Sequence, residues 1–579
     1  MKISLTLLLA LFLSPLIPQS EVVAKKPNVI LIMTDDQGYG DLSCHGNPIL
    51  QTPHLDQLYQ ESVRLTDFHV SPFCTPTRAA LMTGRYPART GAYRTSSGRT
   101  MMHPDERTIA NLFAENGYTT GMVGKWHLGD AAPHRPQDRG FDDVVWHRCG
   151  GIGQASDYWG NDYFDDTYER NGEFEKFKGY CTDVWFDEAT RFIDENREQP
   201  FFLYLAPNAP HGPYYVPPQW SEPYQESTSW RKGAEFYGMV ANFDHNLGQL
   251  RDRLESWKLA DNTILIFMND NGTATGAAFS SLTSEATQGF NAGMRGKKSS
   301  VYEGGHRVPF FIHWPAGGLR EGRDIAHLTA HIDVLPTLAE ICGFAVPASH
   351  HPDGRSFATA LFHPDSKAPR DHLIVQFQGG AYFRTAPQPW ESTCILKDHW
   401  RLINGQALYN IRTDPAQRND VSRQHPEIVE ALRNDYLPFW NAVSPRMSPV
   451  AIDLGNPRQN PVVLSSQDWY MPTGNPPWNF GTIRKLPAVT GPWIVNITQT
   501  GRYRITLRQW PAEAAATLQK CVRARINIAG TDHVQPVTEG SEHVDFEVTL
   551  PAGRSTLTTY LIDQDGTSRG AYFAEVEAL

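Results

Sequence analysis

The stretch Val29-Ile30-Leu31-Ile32-Met33-Thr34-Asp35-Asp36 decides the fold that this sequence predicts. Its five apolar residues predict a short buried strand, which runs directly into a threonine and two carboxylates. Three further apolar stretches also end in polar residues: Thr120–Val123 before Gly124-Lys125-Trp126-His127, Phe201–Leu205 before Pro207 and His211, and Ile264–Met268 before Asn269-Asp270-Asn271. Open α/β sheets bind ligands outside the carboxyl ends of their strands. We therefore expect the four strand ends to meet in one crevice.

Amphipathic helical stretches lie between these strands. In Asn242–Trp257, for example, apolar residues recur at three- and four-residue intervals, which is typical of a helix with one buried face. This alternation predicts an α/β domain over residues 25–370, in which helices cover both faces of a large, mixed but mainly parallel sheet.

The chain changes character after about Asp371, and we expect three further segments. Residues 371–445 predict a small antiparallel α+β subdomain, with strands Leu373–Phe377, Arg401–Ile403 and Ala407–Asn410 and a helix over Pro426–Leu432. Residues 446–490 are rich in proline, asparagine and serine and predict a linker or an irregular wrap. Residues 491–579 predict a β-sandwich-like accessory domain, with strands Trp493–Thr498, Gly501–Arg508, Val522–Ile528, Val544–Leu550 and Ser555–Ile562.

The composition excludes several classes of protein. A chain of 579 residues with 40% hydrophobic and 20% charged residues is globular and has more than one domain. A net charge of -11 argues against nucleic acid as a partner, since that binding needs clustered Lys and Arg. The 7 cysteines stand singly, without a CxxC pair, which argues against structural zinc. They could pair as disulfides or stay buried as small apolar side chains.

The N-terminus predicts export. Residues 1–20 begin with Met1-Lys2, continue with the apolar run Leu5–Leu13 and end in polar residues, which is the form of a signal peptide. Because the run is shorter than the roughly 20 residues that cross a bilayer, a membrane anchor is the weaker alternative. We expect a periplasmic or extracellular protein, or a lysosomal one in a eukaryote, with no membrane span after signal removal.

The motif that carries the chemistry is Ser71-Pro72-Phe73-Cys74-Thr75-Pro76-Thr77-Arg78-Ala79-Ala80-Leu81-Met82-Thr83-Gly84-Arg85. Pro76 suits the first turn of a helix that Thr75 or a neighbour caps, and Arg78 lies on the same face as Cys74, four residues away. The motif resembles the signature of the formylglycine sulfatases, Cys-x-Pro-x-Arg followed by Thr-Gly-Arg. The alternative is that Cys74 is a buried thiol without chemistry.

The resemblance implies an alkaline-phosphatase-like fold and a modified nucleophile. In that family a formylglycine-generating enzyme oxidises the cysteine, here Cys74, to an aldehyde. One hydroxyl of the hydrated aldehyde attacks sulfur and the alcohol leaves. Deprotonation of the second hydroxyl then re-forms the aldehyde and ejects sulfate, a route that a thiol or a serine lacks.

A hard cation is expected at the strand ends. Asp35 and Asp36 follow the first strand, while Asp270 and Asn271 follow the fourth, and their oxygens suit Ca²⁺ or Mg²⁺. The resemblance favours Ca²⁺ and implies that residue 74 and a sulfate oxygen complete its shell. The alternative is that these residues only make turns.

The remaining candidate residues are Lys125, His127, His211 and Lys298. Lys125 and His127 are two apart, so a continued strand would project both to one face. The resemblance implies that Lys125, Lys298 and Arg78 hold sulfate oxygens. It also implies that His127 takes a proton during elimination and that His211 protonates the leaving alcohol. Lys298 fits the family spacing to Glu303 better than its neighbour Lys297 does.

The sequence therefore predicts a sulfuric ester hydrolase acting on a sulfated carbohydrate or an aryl sulfate. Two alternatives are a phosphodiesterase or phosphonate monoester hydrolase of the same superfamily and a non-catalytic protein that binds sulfated glycans. Substrate preference is expected in the loops Gly150–Lys178 and His350–Pro352.

Overall fold

The computed structural model describes residues 25–378, 387–471 and 473–579. The export signal expected at residues 1–20 lies outside the described residues. Over the described ranges, no helix combines the length and the apolar character needed to cross a membrane.

The largest element is a ten-stranded mixed sheet in the N-terminal part of the chain. Its strands, in spatial order, are Arg323–Ile325, Val63–Leu65, Phe310–His313, Thr263–Asn269, Asn28–Thr34, Phe201–Ala206, Thr119–Lys125, Asp143–His147, Thr167–Arg170 and Glu173–Lys176. The five strands from Thr263–Asn269 to Asp143–His147 pair in parallel, while the outer strands are mixed. The predicted α/β class with a mainly parallel central sheet is confirmed.

The four strands predicted from the sequence are neighbours at the centre of this sheet. All four run parallel, so their carboxyl ends lie at one edge, and Thr34 pairs with Asn269 at that edge. Gly124, just before the end of its strand, has a φ of 104°. A Cβ at this position would lie 2.2 Å from the Ala206 carbonyl oxygen, so only glycine allows this close approach.

Alternate residues of the central strand face two separate hydrophobic cores. Leu31 and Met33 pack with one group of helices, Cys74–Thr83, Ile109–Glu115 and Val334–Ile341. Ile30 and Ile32 pack with the other, Pro53–Glu61, Cys181–Glu195 and Gly233–Ser256. The last of these begins nine residues before the predicted Asn242. The period of two along a strand thus buries the sheet on both faces.

A smaller antiparallel sheet follows the main domain. Its strands, in order, are His372–Gln376, Thr393–Lys397, Trp400–Ile403 and Ala407–Asn410, and the helix Pro426–Val443 packs beside them. The strand Thr393–Lys397 was not among those predicted. The helix extends well beyond Leu432, since Val429, Leu432 and Tyr436 continue one buried face.

The C-terminal region is a β sandwich of two antiparallel-rich sheets. One contains Ile452–Leu454, Trp493–Ile497, Gly553–Asp563, Cys521–Ile528 and Thr531–Pro536, with Ser568–Arg569 beside Gly553–Asp563. The other contains Val462–Ser465, Phe573–Ala578, Gly501–Arg508 and His543–Leu550. Residues 446–490, expected to be a linker or a wrap, therefore supply one strand to each sheet. The apolar side chains of these strands are buried in the sandwich core, and the proline-rich composition concealed them.

A buried ion pair joins the small antiparallel sheet to the main domain. Arg401 Nε donates to Glu303 Oε1 at 2.7 Å, and one terminal nitrogen of Arg401 lies 3.2 Å from Asp67 Oδ1. Arg401 and Glu303 are almost fully excluded from solvent. Burial raises the pKa of the Glu303 carboxyl, but the charge of Arg401, with smaller effects of His69, His306 and Arg307, lowers that pKa to about 2. The pair therefore depends on both members.

We expect Arg401→Met to lower the free energy of unfolding by about 3–5 kcal/mol, because it removes the closest cation from the buried Glu303 carboxylate and leaves only the longer contact with Arg307 among the described ion pairs. Urea unfolding followed by tryptophan fluorescence measures the change. Arg412→Met is the matched control, since Arg412 is 68% exposed and pairs only with Asp398 at 3.4 Å. The control should change stability by less than about 1 kcal/mol. Equal effects of the two variants would contradict the assignment.

Candidate active site

Cys74 is buried at the first position of the helix Cys74–Thr83. Phe73 is the N-cap residue, and its side chain makes no capping hydrogen bond. The expectation that Thr75 or a neighbour caps the helix with its side chain is wrong, because the N-cap residue makes no such bond and Thr75 lies within the first turn, where its hydroxyl donates to the His127 carbonyl at 3.3 Å. Without a side-chain cap, the N–H groups of the first turn remain available to an anion.

Two carboxylates from adjacent strands lie beside Cys74. Asp35 follows the strand Asn28–Thr34 and Asp270 follows Thr263–Asn269. A carboxylate oxygen of each and Cys74 Sγ all lie within 4.8 Å of one another. The Asp36 amide also donates to Asp270 Oδ1 at 3.0 Å, which ties the two strand ends together.

Lys125 and His127 reach this site by a path that differs from the expected one. The strand ends at Lys125, and His127 has a φ of 59°, so the two-residue alternation does not continue to it. His127 Nε2 lies 3.2 Å from the Thr95 carbonyl, which can only accept, so Nε2 carries the proton. His127 Nδ1, 3.3 Å from Cys74 Sγ, therefore presents its lone pair to residue 74.

Arg78 and Lys125 are fully buried and paired within the protein. Arg78 donates from one terminal nitrogen to Asp270 Oδ2 at 2.9 Å and from the other to the Lys125 carbonyl at 2.8 Å. Lys125 Nζ donates to Asp35 Oδ2 at 2.7 Å. Each cation thus lies against a carboxylate of a strand end, and each fixes the direction of that carboxylate.

A second group surrounds Asp36. Lys298 Nζ lies 2.6 Å from Asp36 Oδ1, and His211 Nε2 lies 3.7 Å from Asp36 Oδ2. Asn271 Nδ2 donates to Asp36 Oδ1 at 3.0 Å. The structure therefore brings together every residue that the sequence analysis named for catalysis or metal binding.

The charges of this cluster set its protonation. Burial and the nearby Asp35 raise the pKa of Asp270 to about 7, although Arg78 opposes them. Burial would raise the pKa of Asp36 too, but Lys298, with smaller effects of His211 and Lys125, holds it well below its usual range. Burial and the charges of Lys125 and Arg78 lower the pKa of His127 far below its ordinary value. Burial also raises the pKa of the Cys74 thiol, so an unmodified Cys74 is a poor nucleophile.

The oxygen-rich cluster fits a hard cation. Asp35 Oδ1 and Asn271 Oδ1 are buried and have no hydrogen-bond partner. A buried polar atom without a partner costs about 1–3 kcal/mol, and a bound cation would remove that cost. A cation would also favour the ionised form of Asp270, whose pKa burial raises. The donor set is mainly carboxylate and amide oxygen, which suits Ca²⁺ or Mg²⁺ rather than a thiolate-binding metal.

A cavity of about 320 Å³ opens above Cys74. Its lining residues are Phe73, Cys74, Thr95, Ser96, His127, Gly150, Gln154, His211, Lys298, Gln467, Asn475 and Trp478. The first part of the loop Gly150–Lys178 therefore reaches the cavity. The loop His350–Pro352 does not, because His350 is buried against the Thr83 carbonyl, 2.6 Å away, at the far end of the helix. Gln467, Asn475 and Trp478 belong to residues 446–490, which were expected to be a linker or a wrap. No local sequence motif indicated that they line the cavity.

The cysteines other than Cys74 have no partner among themselves. All seven lie within the described ranges, and none forms a disulfide there. Cys44 is partly buried and the rest are buried. Of the two fates left open by the sequence, the structure thus has the buried thiol.

Comparison with known proteins assigns the family. The model of the family described as Sulfatase matches residues 27–344, more than half of the chain. The chain belongs to the sulfatase family. It is thus an enzyme of the sulfuric ester hydrolase class. It is 30% identical to N-acetylgalactosamine-6-O-sulfatase of Bacteroides thetaiotaomicron over 71% of this chain and 92% of that protein. It is 29% identical to human arylsulfatase A over 71% of this chain and 87% of that protein.

A solved structure agrees with this sulfatase assignment. The crystal structure of Ps i-CgsB covers 73% of this chain and 94% of its own, with a TM-score of 0.64 and 30% identity. Ps i-CgsB has also been solved in complex with k-i-k-neocarrahexaose. The likeness confirms the expected alkaline-phosphatase-like sulfatase fold, and it leaves part of this chain uncovered.

Proposed function

We propose that this sulfatase removes sulfate from a sulfated carbohydrate, using residue 74 as the nucleophile after oxidation of Cys74 to formylglycine. The observation that carries the proposal is the position of residue 74. It lies at a helix N-terminus, 3.3 Å from an imidazole nitrogen and beside two buried carboxylates, on the floor of a cavity. The hydrated aldehyde would supply the hydroxyl that attacks sulfur, and a formylglycine-generating enzyme is the expected partner in maturation.

His127 is the proposed base. Its Nε2 proton is held by the Thr95 carbonyl, so Nδ1 is free to accept a proton from the second hydroxyl of residue 74. The lowered pKa keeps this imidazole neutral, which is the form that accepts a proton. Release of sulfate then restores the aldehyde.

We propose different roles for Lys298, Lys125 and Arg78. Lys298 lines the cavity and is proposed to bind a sulfate oxygen, stabilising the charge that grows on it in the transition state. Lys125 lies behind Asp35, close enough to the cavity floor for its charge to act on the same anion. Arg78 has its donors directed to Asp270 and the Lys125 carbonyl, so we propose that it positions these groups.

His211 is the proposed acid for the leaving alcohol. Its Nδ1 lies 2.6 Å from the Gly212 carbonyl, and its ring lines the cavity with Nε2 3.7 Å from Asp36 Oδ2. Burial and the neighbouring lysines lower the pKa of His211 to about 3, against the opposing effect of Asp36. The negative charge of a bound sulfate ester acts in the opposite direction and favours the protonated ring.

Asp35, Asp36, Asp270 and Asn271 are proposed to hold Ca²⁺, with Mg²⁺ the weaker alternative. The bound ion would draw negative charge from the sulfate group and from residue 74. The parallel pairing of the two strands holds the oxygen donors of these four residues close together.

The nature of the nucleophile is tested by mass analysis of the peptide that carries residue 74. Protein coexpressed with a formylglycine-generating enzyme should contain the aldehyde and hydrolyse 4-nitrophenyl sulfate. Cys74→Ala should lose this activity by a factor of about 10⁴ or more, because nucleophile and elimination route are both removed.

The same preparation separates the proposal from its alternatives. A ratio of kcat/KM above one for a sulfate ester over the matched phosphate diester is expected, and the inverse ratio would favour a phosphodiesterase. An unmodified thiol in protein from the native host, together with tight binding of sulfated glycan and no turnover, would favour a binding protein.

The metal proposal is tested without activity. After treatment with a chelator, added Ca²⁺ should raise the thermal unfolding midpoint of the wild type, since a ligand at 100 times its Kd contributes about 2.7 kcal/mol. Asp35→Asn should remove the shift. Asp324→Asn, which changes an exposed carboxylate paired with Arg64, should keep it. A calcium shift of wild-type size in Asp35→Asn would refute the assignment.

The role of His211 is tested by changing the leaving group. His211→Ala should lower kcat by about 10²-fold or more on a sugar sulfate, whose alcohol needs protonation. The loss should be much smaller on 4-nitrophenyl sulfate, because nitrophenolate leaves without a proton. His543→Ala, at an exposed position of the β sandwich, is the control. Equal losses on the two substrates would rule out proton donation by His211.

A further inference from the structure

The β sandwich contributes a wall of the catalytic cavity. Gln467, Asn475 and Trp478 line the same cavity as Cys74 and His127. They lie beyond residue 344, where the match to the family model ends. The cavity is therefore composite, with a floor from the sulfatase domain and one wall from the C-terminal region.

Backbone hydrogen bonds fix this wall to the sulfatase domain. The Ser97 amide donates to the Gln467 carbonyl at 2.9 Å, and the Ala155 amide donates to the Trp478 carbonyl at 2.9 Å. Two residues further along, the Phe480 amide donates to the Gly153 carbonyl at 3.1 Å. These bonds tie the wall to the two segments that supply Thr95, Ser96 and Gln154 to the cavity.

Side-chain packing holds the same junction. The ring centroids of Trp159 and Phe480 lie 4.5 Å apart, and those of Trp159 and Trp510 of the sandwich lie 5.7 Å apart. The amide oxygen of Gln467 accepts a hydrogen bond from the Cys149 thiol. Trp469, close by in the chain, is buried in the sandwich core. The wall is thus attached both to the sulfatase domain and to the sandwich core.

The chemistry of the wall differs from that of the floor. The floor carries Lys298, His127 and His211, which suit a sulfate group. The wall offers the indole of Trp478, which is 39% exposed, and the exposed side-chain amide of Asn475. Gln467 is buried, and its amide oxygen is used by the Cys149 thiol. An exposed aromatic face next to an amide matches a sugar ring, which presents an apolar C–H face and hydroxyl groups at its edge.

We propose that Trp478 determines specificity by stacking against the sugar ring that carries the sulfate ester, with the side-chain amide of Asn475 bonding to its hydroxyls. The β sandwich then completes the substrate site and is not a separate glycan-binding module. This inference rests on the proposed function, since it names the part of the enzyme that recognises the sugar ring of the substrate.

The test compares two substrates in the full-length, formylglycine-containing enzyme. Wild type and Trp478→Ala are assayed on 4-nitrophenyl sulfate and on a panel of carrageenan, chondroitin sulfate and heparan sulfate oligosaccharides. We expect Trp478→Ala to lower kcat/KM on the preferred oligosaccharide by at least about tenfold, mainly through KM. The loss on 4-nitrophenyl sulfate should stay within about threefold, because a small aryl ester has no sugar ring to place. Trp478→Phe should restore part of the lost efficiency.

Two controls separate the possible failures. Tyr560→Ala removes a half-buried aromatic ring from the same sandwich, where the ring contacts Arg525, and it should leave both substrates unaffected. The thermal midpoint of each variant reports on folding. Equal losses on both substrates, or a Trp478→Ala enzyme with wild-type efficiency on the oligosaccharide, would overturn the inference. A wild type that cleaves 4-nitrophenyl sulfate but no oligosaccharide would also overturn it, whereas a wild type that cleaves no sulfate ester would refute the proposed function itself.

Discussion

The arrangement at the carboxyl edge of the main sheet depends on the pairing of buried charges. Three carboxylates, those of Asp35, Asp36 and Asp270, lie together at the ends of two adjacent strands, where their mutual repulsion in a low dielectric is large. Lys125, Lys298 and Arg78 each contact one of them. Removal of one partner would leave a buried charge uncompensated. The resulting loss of folding free energy is larger than the stability that the intact ion pair adds relative to an apolar replacement of both residues. The six charges are therefore energetically coupled.

This charge pairing explains why the site fits both an anion and a cation. The carboxylates keep oxygen atoms without hydrogen-bond partners, such as Asp35 Oδ1, which suit a metal ion. Lys298 and the helix N-terminus at Cys74 present positive potential to the cavity above. A sulfate ester between these layers would meet donors and cations that are already oriented, so little reorganisation is needed as charge develops.

The sequence predicted the parts of this site that depend on strand ends and on a local motif. Four apolar runs ending in polar residues were enough to place Asp35, His211 and Asp270 at one edge, because parallel neighbours bring their carboxyl ends together. The details that failed are those set by backbone geometry. Thr75 does not cap the helix, and His127 reaches residue 74 through a left-handed turn and not through strand alternation. The residue types around these two positions do not distinguish an uncapped helix from a capped one, or a left-handed turn from a continued strand.

The C-terminal wall was hidden from the sequence for a different reason. Gln467, Asn475 and Trp478 are far from the motif in the chain, and their proline-rich surroundings are typical of a connecting segment. Their position follows from long-range contacts, in which the chain crosses from the sandwich core at Trp469 to the backbone at Gly153 and Ala155. The described part of this segment forms two short helical turns, Ser466–Asp468 and Phe480–Ile483, and bonds through its backbone to the sulfatase domain between them. The segment is therefore more than a connection between two domains, because it forms one wall of the cavity that lies between them.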